Sequence, residues 1–227
     1  MIEIISHTGI GQRKENQDVI LINDFVDDNS LYLIVDGMGG YDSGKDAAEI
    51  IANSISDYLS NSAAYNSFKI EEAIKKANLE VKIFNDKYNS KSGGTLGGIL
   101  KTKEKSILFW IGDVSIFLFK ENNIIFKSKS HTLINDMKDL NADLTPSVLE
   151  KYKHVVTKSI SGKRELISMG IYEIENNRFD KFLICSDGVL DVFNEFTFFN
   201  ISLDFVNSNL QVNSKDNYSY IVGNNLN

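Results

Sequence analysis

The chain contains LYLIVDGMGG at residues 31–40 and SGKDAAEIIANSISDYLS shortly after it, at residues 43–60. Five apolar residues in a row before an aspartate are typical of a buried strand. Asp36 and Gly37 are also a favoured pair for a two-residue hairpin turn, so a turn is the alternative interpretation. Because Met-Gly-Gly and then helical spacing follow, and not a returning strand, the sequence favours a strand that carries Asp36 at its end and leads into a helix.

Four more acids stand at similar strand boundaries. They are Asp18 before VILI, Asp113 after ILFWIG, Asp187 after FLICS and Asp216 before NYSYIV. For Asp187 a hairpin turn with Gly188 stays open as well, because the aromatic segment that follows could contain a strand. A carboxylate that is desolvated beside a buried strand costs free energy unless a cation neutralises it. The five acids together therefore predict one site of a metal-dependent enzyme.

Composition narrows the class of protein. The chain has 227 residues, 42% of them hydrophobic, and a formal net charge of -7, which disfavours nonspecific binding to nucleic acid. Its apolar runs are far shorter than the roughly 20 residues that cross a bilayer, and no signal peptide is recognisable. The single cysteine, Cys185, rules out an internal disulfide and is expected to be buried in the core. We expect a cytoplasmic monomer that binds neither nucleic acid nor membrane, with one domain spanning residues 1–227.

The order of the apolar patterns predicts strands, then two helices, then strands again. Four runs between residues 94 and 127 suit an antiparallel meander. The lack of strict β-α alternation favours an α+β sandwich over a doubly wound sheet. The predicted strands are EII (3–5), VILIN (19–23), LYLIVD (31–36), GTLGGILK (94–101), SILFWIGD (106–113), SIFLFK (115–120), NIIFKS (123–128), KFLICS (181–186) and NYSYIVG (217–223).

Helical spacing is clearest in two segments. In residues 43–60 the apolar positions recur every three to four residues, and Ser43 with Asp46 forms a helix start signal. In the second segment one side is predicted to be buried, and Glu71 with Lys75 and Glu72 with Lys76 are predicted outward pairs. The predicted buried side comprises Ile70, Ala73, Ile74, Ala77, Val81, Phe84 and Tyr88.

The remaining segments are less regular. A helix is expected near residues 146–152, inside the polar region 128–165. The phenylalanines between residues 193 and 205 are expected to fill the core or cover a sheet. The histidines His7, His131 and His154 are dispersed without ligand spacing, which is more typical of surface or satisfied histidines than of catalysts.

Six short motifs occur in a fixed order along the chain. They are G-x-R-x-x-N-Q-D at residues 11–18, V-D-G-M-G-G-x-x-x-G at 35–44, G-G-T at 93–95, I-G-D at 111–113, C-S-D-G at 185–188 and D-N-x-S at 216–219. Together they resemble the metal-dependent protein serine/threonine phosphatases of type 2C, especially the bacterial branch. Each motif alone is weak, but six in the same order at compatible spacing, over almost the whole chain, make the resemblance specific.

The resemblance implies a four-layer α-β-β-α sandwich, in which two antiparallel sheets are flanked by helices and a cleft at one edge holds two Mn²⁺ or Mg²⁺ ions. By the same resemblance, Asp36 bridges both metals, Asp187 and Asp216 hold the first, and the carbonyl of Gly37 joins the second. Asp18 lies close by and orients bound water. Hard divalent ions prefer such oxygen ligands.

The implied reaction is hydrolysis of phosphoserine and phosphothreonine in proteins, by in-line attack of a hydroxide that bridges the two metals. Arg13 is the expected ligand of the substrate's phosphate, because a guanidinium matches two phosphate oxygens. Asp113 is expected to bind a third, weaker metal; the alternative is a structural acid at a turn. The implied partners are phosphorylated proteins and an opposing serine/threonine kinase, and the implied role is in signalling.

The chain departs from the family pattern at three places. Met38 replaces a histidine that some relatives carry, and Val114 with Ser115 replaces the usual Ser-Arg after Gly-Asp. Ser130 stands where the family's Asp-His-Ser segment has its acid. The Val114–Ser115 pair puts the environment of the third metal in doubt and keeps a second interpretation open, a catalytically weak relative that binds phosphoproteins or partners without turnover.

A nucleotide-binding loop is the remote alternative. Residues 39–46, GGYDSGKD, nearly match G-x-x-x-x-G-K-[ST] after an apolar strand and before a helix. The match fails at Asp46, where a hydroxyl would have to reach Mg²⁺, and nearby acids would repel phosphates. We therefore interpret Lys45 and Asp46 as first-turn residues of a capped helix.

Overall fold

The fold is a stack of two sheets with helices on both outer faces. A computed structural model describes residues 2–39, 43–163, 168–200 and 202–225. The strands are β1 (Ile2–Gly9), β2 (Asp18–Asp24), β3 (Ser30–Met38), β4 (Gly93–Lys101), β5 (Lys105–Ile111), β6 (Ser115–Lys120), β7 (Asn123–Lys127), β8 (Gly170–Glu175), β9 (Lys181–Cys185) and β10 (Tyr218–Asn225). The helices are α1 (Ser43–Ser60), α2 (Ser67–Tyr88), α3 (Leu133–Asp139), α4 (Pro146–Tyr152), α5 (Asp187–Leu190), α6 (Thr197–Asn200) and α7 (Leu203–Asn213), with a 3₁₀ turn at Asn176–Arg178.

All strand pairs in both sheets are antiparallel. Sheet I has the order β1-β10-β9-β6-β7, and sheet II has the order β2-β3-β4-β5-β8. Strands near the two ends of the sequence therefore become neighbours, since β1 pairs with β10 over its whole length.

Alternating side chains build the layers, because successive residues of a strand point to opposite faces. On β3, Leu31 and Leu33 pack with α1 and α2, whereas Tyr32 and Ile34 pack against sheet I. The outer face of sheet I packs against a third apolar cluster that includes residues of α6 and α7. The predicted four-layer α-β-β-α sandwich is confirmed.

The first helix has the predicted bounds, and the second differs from its prediction in two details. Ile70, Ala73, Ile74, Ala77 and Val81 are buried as expected, but Tyr88 is exposed because α2 ends there. The expected outward pairs are shifted along the helix. The observed ion pairs join Lys69 to Glu72, Lys76 to Glu80 and Lys82 to Asp86.

The predicted meander between residues 94 and 127 is wrong in its connectivity. β4 and β5 pair in sheet II, while β6 and β7 pair in sheet I, so the chain crosses between the sheets at residues 112–114. Gly112 makes this crossing with a φ of 96°, and a Cβ there would lie 2.2 Å from Thr95 Cγ2. Apolar periodicity finds strands but does not report which sheet each strand joins.

The segments between the long elements were only partly predicted. Helix α4 has the predicted bounds, whereas α3 and β8 were missed; residues 164–167, at the end of the polar region, lie outside the described residues. Asp187 begins a helix and not a hairpin. Among the phenylalanines, Phe198 is buried, but Phe196 and Phe205 are exposed.

Two expectations from composition can be compared with the structure. Cys185 is fully buried, and burial raises the pKa of its thiol, so it is a core residue as predicted. In the described ranges, every helix is too short or too polar to traverse a lipid bilayer.

A buried asparagine joins α2 to the start of β4. The Asn85 amide donates to the Ser92 carbonyl at 2.8 Å, and its oxygen accepts from the Ser92 N–H at 3.0 Å. It also donates to the Ser161 carbonyl at 3.2 Å. Beside it, Gly94 and Ile160 exchange two backbone hydrogen bonds of 2.9 Å each. The side chain thus fixes where β4 enters sheet II.

We expect Asn85→Ala to lower the free energy of unfolding by about 3 kcal/mol, because it leaves backbone groups of Ser92, just before β4, and of Ser161 without these partners. Urea unfolding followed by circular dichroism measures this loss. Asn209→Ala, at a half-buried helical position where the amide donates to the Phe205 carbonyl, is the matched control and should cost less than about 0.5 kcal/mol. Equal losses in the two variants would show that the Asn85 hydrogen bonds do not anchor β4.

Candidate metal centre

Two of the five predicted acids face each other across neighbouring strands. Asp18 at the start of β2 is directly opposite Asp36 near the end of β3, and Asp36 is opposite Thr95 on β4. Asp36 is two residues after Ile34, so its side chain is on the same face of sheet II, toward sheet I. Like charges at directly opposed positions repel, which makes this arrangement costly without a cation.

Sheet I brings two more acids to the same edge. Cys185 pairs with Tyr220, so the segment after β9 and the segment before β10 leave the sheet side by side. Asp187 and Asp216 lie on these segments, and Asp113 lies on the crossing between the sheets. Asp36, Asp113, Asp187 and Asp216 all line one cleft of about 1210 Å³. Both sheets therefore contribute carboxylates to a single cavity.

Asp18 lies behind the cleft and is almost fully buried, with 1% of its surface exposed. One carboxylate oxygen accepts a hydrogen bond from the Ser186 hydroxyl at 2.9 Å. The other, Oδ1, is buried and has no hydrogen-bond partner among the described residues. Lys45 Nζ donates to the Asp18 carbonyl at 2.8 Å, which places a positive charge nearby. A buried carboxylate oxygen without a donor is an observation that fits a cation or an ordered water.

The electrostatics of the cluster show a deficit of positive charge. Burial, followed by the charges of Asp18 and Asp187, raises the pKa of Asp36 well above its usual range. Burial is also the main cause that raises the pKa of Asp187 to about 7 and that of Asp18 to about 6. The pKa of Asp113 is raised for the same reason. Without a cation, the fold therefore favours protonation of carboxylates that are ionised in water.

The predicted phosphate ligand makes an unexpected contact. Arg13 Nη2 is 2.5 Å from Asp216 Oδ2, and this hydrogen bond raises the pKa of the Arg13 guanidinium. The charges of Asp187 and Asp36 act on Arg13 in the same direction. Arg13 thus partly neutralises the acid cluster by occupying an oxygen of a predicted metal ligand.

The oxygen atoms of the acid cluster are suitable ligands for a hard divalent cation, but the side chains are not yet close enough together to coordinate one. Within residues 2–39, 43–163, 168–200 and 202–225, no three Asp, Glu, His or Cys side chains are already placed to hold a metal ion. Carboxylates and one carbonyl are the ligands that Mn²⁺ and Mg²⁺ prefer. Gly37 permits close approach of the backbone, since a Cβ there would lie 2.4 Å from the Gly44 carbonyl oxygen. If Asp216 is a ligand, as the sequence predicts, Oδ2 could join the metal only by giving up or sharing its contact with Arg13.

Several residues of the site were not predicted from the sequence. His154 follows α4 and places Nδ1 3.9 Å from Asp187 Oδ2, and Lys153 also lines the cleft. Asn217 accepts from the Gln17 N–H at 2.9 Å and donates to the Glu15 carbonyl at 2.7 Å, which ties the loop before β2 to β10. Asn217 belongs to the D-N-x-S motif, so the motif was a usable signal for it, whereas no motif marks His154.

The departures at residues 114–115 have structural roles. Val114 is fully buried in the core between the sheets, where a Cβ on Gly97 would lie 2.6 Å from Val114 Cγ1. The Ser115 hydroxyl donates to the Asp113 carbonyl at 3.2 Å.

His131 Nδ1 accepts from the Gly112 N–H at 3.1 Å, and burial is the main cause that lowers the His131 pKa to about 4. His131 is thus a satisfied histidine that anchors the crossing.

The nucleotide-binding alternative does not fit the strand arrangement. β3 lies between two antiparallel neighbours, whereas a phosphate-binding loop belongs to a parallel βαβ unit. Lys45, which would contact the nucleotide phosphates, instead donates to the Asp18 carbonyl. Residues 40–42 of the near match lie outside the described residues.

Comparison with known proteins yields one consistent family. The family model described as protein phosphatase 2C matches residues 6–219. A protein of Mycoplasma genitalium that is provisionally named a protein phosphatase is 28% identical over 211 residues, which cover 83% of this chain and 78% of the relative.

Solved structures share the fold at low sequence identity. The serine/threonine phosphatase Stp1 from Staphylococcus aureus is 19% identical, with a TM-score of 0.85 and coverage of 100% of this chain and 96% of that one. The catalytic domain of the serine/threonine protein phosphatase PstP, solved in complex with two manganese ions, is 19% identical, with a TM-score of 0.82 and coverage of 98% and 97%. At this identity the likeness shows the fold.

Replacing Asp187 should have opposite effects on the metal-free and the metal-loaded protein. The raised pKa means that the native state binds a proton more tightly than the unfolded state, so ionised Asp187 destabilises the fold as pH rises from about 4 to 7. With chelator at pH 7.5, Asp187→Asn should be more stable than wild type by on the order of 3 kcal/mol, and the gain should shrink toward pH 4. The opposing titration of His131 is common to both proteins and cancels in this difference.

Thermal unfolding with chelator and with Mn²⁺ measures the effect of Asp187→Asn on stability without and with the metal. Mn²⁺ should raise the Tm of wild type and leave that of Asp187→Asn nearly unchanged. Asp191→Asn, at another acid that lines the cleft, is the control and should keep the Mn²⁺ response. A normal Mn²⁺ shift in Asp187→Asn would remove Asp187 from the ligand set.

Proposed function

Because this chain belongs to the protein phosphatase 2C family, we propose that it is a protein serine/threonine phosphatase that hydrolyses phosphoserine and phosphothreonine with the help of two divalent metal ions. The observation that carries this proposal is the convergence of acids from both sheets on one cleft, together with an arginine at its rim. A phosphate group needs cations to bind it and to stabilise the charge of its transition state, and the cluster provides the ligands for them.

The proposed metal ligands follow from position in the cleft. Asp36 and the carbonyl of Gly37 would come from the sheet II side and Asp187 and Asp216 from the sheet I side, and Asp113, which also lines the cleft, would hold a third, weaker ion. PstP, which has the same fold, has been solved with two manganese ions. Mn²⁺ or Mg²⁺ would supply a nucleophilic water for in-line attack and neutralise the phosphoryl oxygens.

The protein's own groups would hold and orient the reactants. Asp18 accepts a hydrogen bond from the Ser186 hydroxyl, and its other carboxylate oxygen would accept a hydrogen bond from metal-bound water and so orient it. Arg13 would leave Asp216 and turn its guanidinium toward the phosphate of the substrate, where a two-pronged contact is available. The same arginine would thus pair with Asp216 before the metal binds and with the phosphate of the substrate afterwards.

The proposal extends to partners and location. The substrates would be phosphorylated proteins, an opposing serine/threonine kinase would supply them, and the protein would act in signalling as a cytoplasmic monomer. The second candidate is a catalytically weak relative that binds phosphoproteins. The Arg13–Asp216 pair favours this candidate, since an arginine that held Asp216 permanently would keep out the first metal.

The first experiment is hydrolysis of a phosphothreonine peptide with Mn²⁺, with Mg²⁺ and with chelator. We expect metal-dependent release of phosphate that falls by at least about 10³-fold in Asp36→Asn, because the amide keeps the shape of the side chain but loses the charge that holds two cations. Circular dichroism should show an unchanged fold. Absence of release under either metal, with Mn²⁺ binding still seen by calorimetry, would favour the binding protein.

Arg13→Ala should separate the two roles of the arginine. We expect KM for the phosphothreonine peptide to rise about tenfold with a smaller change in kcat, because a phosphate contact is lost. Mn²⁺ affinity measured by calorimetry without substrate should become tighter, because Asp216 no longer pairs with Arg13. Lys14→Ala, at the neighbouring cleft residue, is the control. An unchanged KM would exclude Arg13 as the phosphate ligand.

A further inference from the structure

A second large concavity lies on the outer helical layer, outside the metal cleft. It is a groove of about 980 Å³ between α1 and the second half of α2. On α1 it follows the exposed side through Asp46, Glu49, Asn53 and Asp57, which recur at helical spacing. We call this cavity the helical groove.

The charge of the helical groove is strongly negative. Asp46, Glu49 and Asp57 from α1 and Glu80 from α2 line it, against one lysine, Lys91. Glu80 also has Lys76 at 3.6 Å, whereas no ion pair to a described residue is seen for the three acids of α1. Within the described part of the chain, these three carboxylates are therefore not paired with a cationic side chain.

Aromatic side chains form the other wall. Phe84 and Tyr88 lie one turn apart on α2, with ring centroids 5.0 Å apart, and both line the groove. Lys87 Nζ already lies 4.8 Å from the centre of the Tyr88 ring, so this ring accepts a cation. An arginine or lysine side chain fits such a surface, because its apolar stem packs on the rings while its charge meets the acids.

A buried hydroxyl is a separate sign of a missing partner. Ser54 contributes to the wall of the groove, is 2% exposed, and its Oγ has no hydrogen-bond partner among the described residues. A buried hydroxyl without a partner costs free energy. A guanidinium or ammonium that enters the groove would bring N–H donors toward this oxygen, which is covered and would be reached only by a shift of the side chains around it.

The helical groove begins beside the cleft. Gly39 lines the cleft and Ser43 lines the groove, and a Cβ on Gly39 would lie 3.2 Å from Ser43 Oγ. From Ser43 to Asp57, α1 rises by about 21 Å, the length of roughly six residues of extended peptide. A substrate with its phosphate in the cleft could therefore lay its next residues along α1.

We propose that the helical groove docks a basic segment of the phosphoprotein substrate, with arginine or lysine residues within about six positions of the phosphorylated residue. This inference rests on the proposed function for the identity of the partner. The chemistry that it assigns to the groove, recognition of a peptide with several positive charges, stands on the groove itself.

Kinetics with matched peptides test the proposal. Two phosphothreonine peptides carry three arginines on the N-terminal or the C-terminal side of the phosphate, and a third has serines in their place. We expect at least one arginine peptide to exceed the serine peptide in kcat/KM by about tenfold at low salt, and the advantage to shrink as salt is added. No advantage for either arginine peptide would overturn the proposal.

Charge reversal locates the effect. Glu49→Lys combined with Asp57→Lys should abolish the arginine advantage, while the rate with p-nitrophenyl phosphate, which is too small to reach the groove, stays within about twofold. Asp143→Lys combined with Asp204→Lys changes the net charge equally at exposed positions outside both cavities and should keep the advantage. Equal losses in the two double variants would show a general charge effect and overturn the proposal.

A binding assay separates failure of the groove from failure of the proposed function. If wild type hydrolyses neither p-nitrophenyl phosphate nor peptide, the proposed activity fails, and anisotropy of a labelled, unphosphorylated arginine peptide still tests the groove. Binding that the Glu49→Lys, Asp57→Lys variant loses supports the groove, and absence of binding to wild type overturns it. A concentration-dependent dimer, seen by light scattering and lost in that variant, would assign the groove to a second copy and also overturn the proposal.

Discussion

Repulsion among carboxylates in a poorly hydrated cavity is the constraint on which this structure depends. Two unit charges about 5 Å apart interact by about 3 kcal/mol at the effective dielectric of a protein surface, and five acids share this region. Three contacts reduce this repulsion. The Ser186 hydroxyl donates to the Asp18 carboxylate, the Lys45 ammonium donates to the Asp18 carbonyl, and the Arg13 guanidinium pairs with Asp216. These contacts do not supply enough positive charge to balance the acids, because the pKa values of Asp36 and Asp187 are still raised. A site held at this cost is expected where a cation is part of the working protein.

The sandwich confines the mutually repelling carboxylates to one edge, away from the apolar core. Between the sheets the core is apolar and includes Ile34 and Ile184, and the polar region begins where β3 and β9 end and β10 starts. Glycine supports this geometry, since a Cβ on Gly97 of β4 would lie 2.6 Å from Val114 Cγ1 and 3.4 Å from Cγ1 of Ile116 on β6 of sheet I. Packing therefore sets the separation of the sheets, and the separation of the sheets sets the distance between the carboxylates that each contributes.

Much of this arrangement could be predicted from the sequence, for identifiable reasons. An apolar run that ends on Asp36 before a capped helix has one good interpretation, and α1 has the predicted bounds. Periodicity did not show which sheet each strand joins. Strands β5 and β6 are two apolar runs separated by a short turn at Gly112, as in a hairpin, but they belong to different sheets. The Arg13–Asp216 pair and the position of His154 beside Asp187 depend on which distant segments meet, and helical or strand periodicity carries no such information.

The pairing of β1 with β10 has a consequence for biosynthesis. Asp18 and Asp36 leave the ribosome early, whereas Asp216 belongs to a segment made almost 200 residues later, and β9 can complete its pairing only when β10 is present. At about 5–20 residues per second, roughly 10 to 40 s separate these events. For that time the nascent chain holds two facing acids without their partners from sheet I. The cleft thus receives its carboxylates from both sheets only after the segment that carries Asp216 has been made and has left the ribosome.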